Sequence, residues 1–121
     1  MKMQLFLRPL AVLVALVFSV SAAQAVLKPG DTAPAFSTEA ALGGQAFHFQ
    51  LSEALAKGPL VLYFFPKAFT QGCTVEAHQF AEASERFAAL GASVVGVSGD
   101  NIDTLKRFSV EACRNKFAVA A

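Results

Sequence analysis

Two short apolar runs, LVLYFF at residues 60–65 and ASVVGVS at residues 92–98, bracket a stretch with helical spacing at residues 74–90. Runs of that length bounded by turn residues read as strands covered on both faces. Between them Ala77, Phe80, Ala83 or Ser84, Phe87 and Leu90 line one side of a helix, while Glu82, Glu85 and Arg86 point away and Gly91 stops it. Strand, helix and strand in that order form a βαβ unit, with parallel strands and a right-handed crossover. A chain built on this unit is α/β, and its site belongs just beyond the carboxyl ends of the strands. Residues 66–74, PKAFTQGCT, occupy that place.

The flanking segments extend the unit on both sides. Residues 26–36 carry two prolines and a glycine and read as an extended lead-in. Residues 36–39 form a short strand candidate, ALGG at 41–44 a turn, and residues 45–51 alternate, with Phe47, Phe49 and Leu51 on one side. That period of two predicts a half-buried strand and so an N-terminal β-hairpin, with His48 outward. Ser52 offers an N-cap to a short helix closed by Gly58 and Pro59. After the second apolar run, residues 99–101 lead into a helix that turns Ile102, Leu105, Phe108 and Ala112 inward and runs to about Lys116. Residues 117–121 resemble the opening of a further strand. The order is ββαβαβα, with no repeats and no low-complexity tract.

The first residues stand apart from this domain. Lys2 and Arg8 are the only charges before Lys28, residues 10–20 are apolar apart from Ser19, and Ala23-Gln24-Ala25 supplies small residues in an A-x-A pattern. A basic start, a short apolar core and a small-residue cleavage site describe a secretory signal peptide. The apolar run is well short of the ~20 residues that span a bilayer. The expectation is a signal at residues 1–25, a domain at residues 26–121, and a periplasmic or secreted product with no stable membrane association after cleavage. Residues 26–121 then hold eight bases against nine acids, with no basic run or face, which argues against a nucleic-acid partner.

The two cysteines, Cys73 and Cys113, sit in a chain read as exported, where disulfides are permitted. They are either a staple or a chemical pair. Cys73 falls in the first turn of the helix after the first apolar run. Unpaired amides and the positive end of the helix dipole favour negative charge there, which suits a nucleophilic thiol. Thr70 and Thr74 bring hydroxyls, Gly72 lets a ligand approach the backbone, and Pro66 ends the strand stiffly. A thiol–disulfide oxidoreductase shows C-x-x-C, and QGCTVE has no second thiol. A single activated thiol suits attack on a peroxide O–O bond, giving a sulfenic acid that a second thiol condenses with. The bland reading is a buried cysteine acting as a small hydrophobe. A metal site on Cys73, His78 and Cys113 lacks the clustered spacing of zinc ligands, and His78 reads as a partly exposed helix residue.

PKAFTQGCT is similar to the P-x-x-x-T-x-x-C-T signature of peroxiredoxins in the AhpC/TSA superfamily. VLYFFPKAFTQGCTVEA and GVSGDNIDTLKRF look like the bacterioferritin-comigratory-protein (PrxQ-type) branch, and the resemblance covers residues 28–121. It implies a thioredoxin-like fold, built from the N-terminal hairpin plus βαβα. It implies that Cys73 is the peroxidatic cysteine and that Pro66 and Thr70 line its pocket. It implies a peroxide substrate, a thioredoxin-like dithiol reductant, and no metal or organic cofactor. Many members of the branch place the resolving cysteine five residues after the peroxidatic one, where this chain has His78. Others place it in a later helix, and on that pattern Cys113 is the resolving thiol of an intramolecular disulfide. The family's activating arginine, later strands and last helix fall beyond residue 121, and none of Arg86, Arg107 and Arg114, all read as helical, matches its position. The domain is therefore read as incomplete, with strands 60–65 and 92–98 short of sheet neighbours. Two other classes keep the fold: a non-catalytic thiol module that senses redox state or binds a partner, and a periplasmic thiol–disulfide oxidoreductase.

Overall fold

The computed structural model describes residues 26–121; the signal read at residues 1–25 lies outside the described residues. Eight elements follow in order: β1 (Ser37–Leu42), β2 (Gln45–Gln50), α1 (Leu51–Lys57), β3 (Leu60–Phe64), α2 (Gln71–Ala89), β4 (Ser93–Val97), α3 (Ile102–Glu111) and β5 (Ala118–Ala120). They form one five-stranded sheet in the order β2-β1-β5-β4-β3. β3, β4 and β5 run parallel, and β1 pairs antiparallel with both β2 and β5. This is the α/β order expected, hairpin plus βαβα, with β5 joining the two parts. Residues 26–32 belong to a separate unit; within it the Lys28 amide donates to Asp31 Oδ2 at 2.7 Å across a turn at Pro29-Gly30.

The chain steps from β3 to β4 to β5 in one direction. Two crossovers of the same hand must then place both helices on the same face. One core accordingly gathers Cys73, Ala77 and Ala81 of α2, Leu105 and Phe108 of α3, and Cys113 against Val94 and Val119 of the sheet. The opposite face buries Phe49, Leu51, Val95, Ala118 and Ala120, with Ala54 of α1 packed on it. The period of two is explicit where Val94 serves one core and Val95 the other.

Several boundaries differ from the sequence reading, each for a local reason. Gly43 and Gly44 both take positive φ, 57° and 81°, as a two-residue type I′ hairpin turn requires, so β1 extends to Leu42. α1 begins at Leu51 after Gln50, with no side-chain cap, so Ser52 is not the N-cap. Phe47 is exposed because only Phe49 of β2 is buried. β3 is an edge strand among the described residues, not a central one, and Phe64 is 74% exposed. β4 does have neighbours on both sides, against the expectation that it would lack them. Leu90 caps α2 and is 78% exposed instead of packed inward. α3 stops at Glu111, short of Lys116, because Arg114 and Asn115 take positive φ, 52° and 59°, and turn the chain into β5.

Candidate active site

β3 and β4 are parallel, so the loops that follow them emerge side by side at one edge of the sheet. The Phe65 amide still donates to Val97 O at 2.9 Å, continuing the ladder one residue past β3. Pro66 has no amide to donate, and the ladder ends there. Two residues on, the Ala68 amide donates to Asp100 Oδ2 at 2.7 Å, and the same oxygen accepts from Ser98 Oγ at 2.8 Å. Asp100 thus ties the loop after β3 to the loop after β4. Asn101 begins α3 by accepting from the Thr104 amide at 2.9 Å.

Phe69 completes the turn in a conformation few non-glycine residues adopt, with φ 66°. Its ring meets Phe108 edge-on at 5.2 Å, and the Arg107 guanidinium lies over it, 5.6 Å from its centroid. Those contacts hold the strained residue in place. Thr70 is the N-cap of α2, so the helix starts three residues before the predicted Thr74. The Thr70 hydroxyl donates to Lys67 O at 3.0 Å and makes no capping bond.

Cys73 is therefore the third residue of α2. The first helical bond is from the Thr74 amide to Thr70 O at 2.9 Å. The amides of Gln71, Gly72 and Cys73 find no carbonyl inside the helix, and they concentrate positive potential at the thiol. Cys73 is only 7% exposed and packs with Phe65, Ala68 and Ala77. A Cβ added at Gly72 would meet nothing within 4 Å, so the backbone beside the thiol is open to approach. Pro66 and Thr70 are exposed at the mouth of this loop.

Cys113 lies in the turn after α3, not within the helix, and Arg114 likewise sits in that turn. Both cysteines are free thiols in one core. Cys113 is fully buried, and burial pushes its thiol from 9.0 up to about 12. His78 is half-buried on α2, and among the described residues no three His, Cys, Asp or Glu side chains gather as metal ligands. Two of the arginines have local partners: Arg107 covers Phe69, and Arg114 pairs with Glu82 at 3.5 Å.

Sequence reasoning missed Asp100, Phe69 and Tyr63. The tyrosine is the only one in the chain, a signal in itself inside an otherwise apolar run. Its ring stacks on Phe80 at 4.4 Å and sits within the core that holds both cysteines. Its hydroxyl is buried without a hydrogen-bond partner. Burial raises the phenol well above its usual range, and negative charge at Cys113, Glu76 or Cys73 would raise it further.

The AhpC/TSA family pattern matches residues 29–121. Chloroplastic peroxiredoxin Q of Sedum lineare is 39% identical over 80 residues, which is 66% of this chain and 41% of that protein. The crystal structure of peroxidoxin BcpB from Mycobacterium tuberculosis superimposes with a TM-score of 0.68 at 35% identity, over 76% of this chain and 57% of that one. Peroxiredoxin Q of Xanthomonas campestris gives a TM-score of 0.58 at 30% identity, over 68% and 50%. This chain spans about half the length of the curated relatives it matches first, 52% and 49%. The hairpin joined to a parallel βαβα sheet is thus the thioredoxin-like core of those structures. With the family pattern running from the lead-in through β5, and peroxiredoxin Q and Bcp proteins as its relatives, the chain belongs to the AhpC/TSA family, on its PrxQ-like branch.

Proposed function

We propose that this chain carries the thiol centre of a peroxidase that reduces hydrogen peroxide or organic hydroperoxides at Cys73. The observation that carries the reading is the placement of Cys73 in the first turn of α2, beyond the carboxyl end of β3, in a loop pinned by Asp100. The Cys73 thiolate attacks one peroxide oxygen, an S–O bond forms as the O–O bond breaks, and the leaving oxygen takes a proton to depart as water or alcohol. The unpaired amides of residues 71–73 suit the oxygen that gains charge. Thr70 already donates to Lys67 O, and its hydroxyl oxygen can still accept from the O–H of a peroxide. Pro66 flanks the mouth.

Cys113 serves as the resolving thiol. It attacks the sulfenic sulfur, the S–S bond forms as the S–O bond breaks, and the hydroxyl leaves as water with the Cys113 proton. A thioredoxin-like dithiol then reduces the disulfide by exchange. Residues 1–25 direct export to the periplasm or beyond, and the released domain stays off the membrane. Among the described residues, no helix is long and apolar enough to cross a membrane.

Peroxide consumption coupled to a dithiol donor tests the centre. The unaltered chain turns over, and Cys73→Ser does not. A Cys73→Ser chain with full turnover would remove Cys73 from the reaction. Peroxide treatment gives a monomeric disulfide on a non-reducing gel that Cys113→Ser abolishes. Disulfide exchange without peroxide would mark an oxidoreductase, and reversible disulfide formation with no turnover a redox sensor. The N-terminal mass of the exported product, beginning at Val26, tests the signal.

A further inference from the structure

A buried polar group without a partner is uncommon and calls for an explanation. The Tyr63 hydroxyl is such a group, fully enclosed beneath α2. Tyr63 faces its register partner Gly96 on β4. A Cβ there would stand 2.8 Å from Cζ and 2.9 Å from the hydroxyl oxygen. The missing side chain at Gly96 lets the phenol cross the neighbouring strand. Phe65, Phe80 and Phe117 hold the ring, at centroid distances of 5.8, 4.4 and 6.2 Å. None of them offers the hydroxyl an acceptor. Tyr63 packs against the core that holds both Cys113, from the turn after α3, and Cys73, from α2, and negative charge on Cys113, Glu76 or Cys73 would raise its phenol further.

We propose that the Tyr63 hydroxyl donates a hydrogen bond to the Cys113 sulfur as that thiol attacks the Cys73 sulfenic acid. This rests on the resolving role given to Cys113 above. The chemistry asks for such a donor. Cys113 is fully buried, and a thiol in an apolar core releases its proton reluctantly. A donor aimed at the sulfur stabilises the negative charge that develops before the S–S bond closes. A phenol held neutral by burial can donate and cannot compete as an anion. In the resting thiol state the hydroxyl waits unpaired, which matches its present surroundings. No co-reactant is added: the hydroperoxide is the oxidant, and water carries off the sulfenic oxygen with the Cys113 proton.

The test is a single turnover of the chain and of Tyr63→Phe with one equivalent of hydrogen peroxide. Dimedone captures the Cys73 sulfenic acid, and mass analysis without reductant follows the Cys73–Cys113 disulfide. Sulfenic acid formation is expected to stay within about twofold, whereas disulfide formation slows about tenfold, as loss of one bond to an ionised group does. The half-rise of its pH profile moves up by about one unit. Thermal stability holds or rises, since the variant removes an unpaired buried hydroxyl. An unchanged disulfide rate with an unchanged pH profile overturns the Tyr63 role alone, and so does a parallel loss of both steps with the fold. Sulfenic acid that accumulates in the unaltered chain with no Cys73–Cys113 disulfide overturns the resolving role of Cys113, and this inference with it.

Discussion

Tyr63 and Gly96 are register partners on β3 and β4, and the phenol occupies the space that a side chain at Gly96 would fill. Gly96 has no positive φ to explain its presence; the reason is the ring. Gly96→Ala is therefore expected to destabilise the fold by about 1–3 kcal/mol, the cost of overpacking a filled core. Urea unfolding under reducing conditions measures it. Pairing the substitution with Tyr63→Val should recover much of the loss, because the two residues share one volume and their effects do not add. Strictly additive losses would show that the cost of a methyl group at Gly96 does not come from the Tyr63 ring.

Asp100 acts at a distance from the thiol, through the Ala68 amide that it holds at 2.7 Å. Removing the carboxylate leaves that amide and the Ser98 hydroxyl without their acceptor. A hydrogen bond to a charged group is worth about 1.5–3 kcal/mol, enough to loosen the loop that presents Cys73. Asp100→Ala should lower the second-order rate of Cys73 oxidation by hydrogen peroxide about tenfold. Asp100→Asn, which keeps an oxygen in reach, should restore most of it. Stopped-flow rates are the readout. An Asp100→Ala rate within twofold of the unaltered chain would strip Asp100 of any positioning role.

The apolar runs and the Cys73 loop were legible because their information is local. A run such as LVLYFF and a glycine-bearing turn before a helix are written in adjacent residues. What escaped depends on neighbours far along the chain. β3 reads as central from its composition, but its place at the sheet edge is set by pairing order. Residues 118–120 could be read as the start of a strand, yet nothing local says that they fill the gap between β1 and β4. The end of α3 carries no glycine or proline; Arg114 and Asn115 take positive φ, and so Cys113 passed for a helical residue. Asp100 was visible only as part of a turn, because its partner Ala68 lies 32 residues away. Tyr63 needed the register with Gly96 before its hydroxyl meant anything.

Cys113 also makes a prediction about pH that is independent of turnover. Burial lifts its thiol from 9.0 to about 12. Below pH 9 the thiol is protonated in both folded and unfolded chains, and the stabilising effect of keeping it neutral in the core is fully present. Between about 9 and 12 the unfolded chain gives up the proton while the folded chain retains it. The unfolded state then binds fewer protons, so stability falls as pH rises, by up to about 1.4 kcal/mol for each pH unit in that window. Tyr63, also raised by burial, adds loss in the same direction from a higher starting point. Comparison with Cys113→Ala isolates the cysteine, because that variant keeps the tyrosine. Urea unfolding from pH 8 to 11 in excess reductant should show a steeper decline for the unaltered chain than for Cys113→Ala, with the divergence beginning near pH 9. Parallel curves would mean that the thiol ionises in the folded chain as readily as in the unfolded one and would overturn the upward shift.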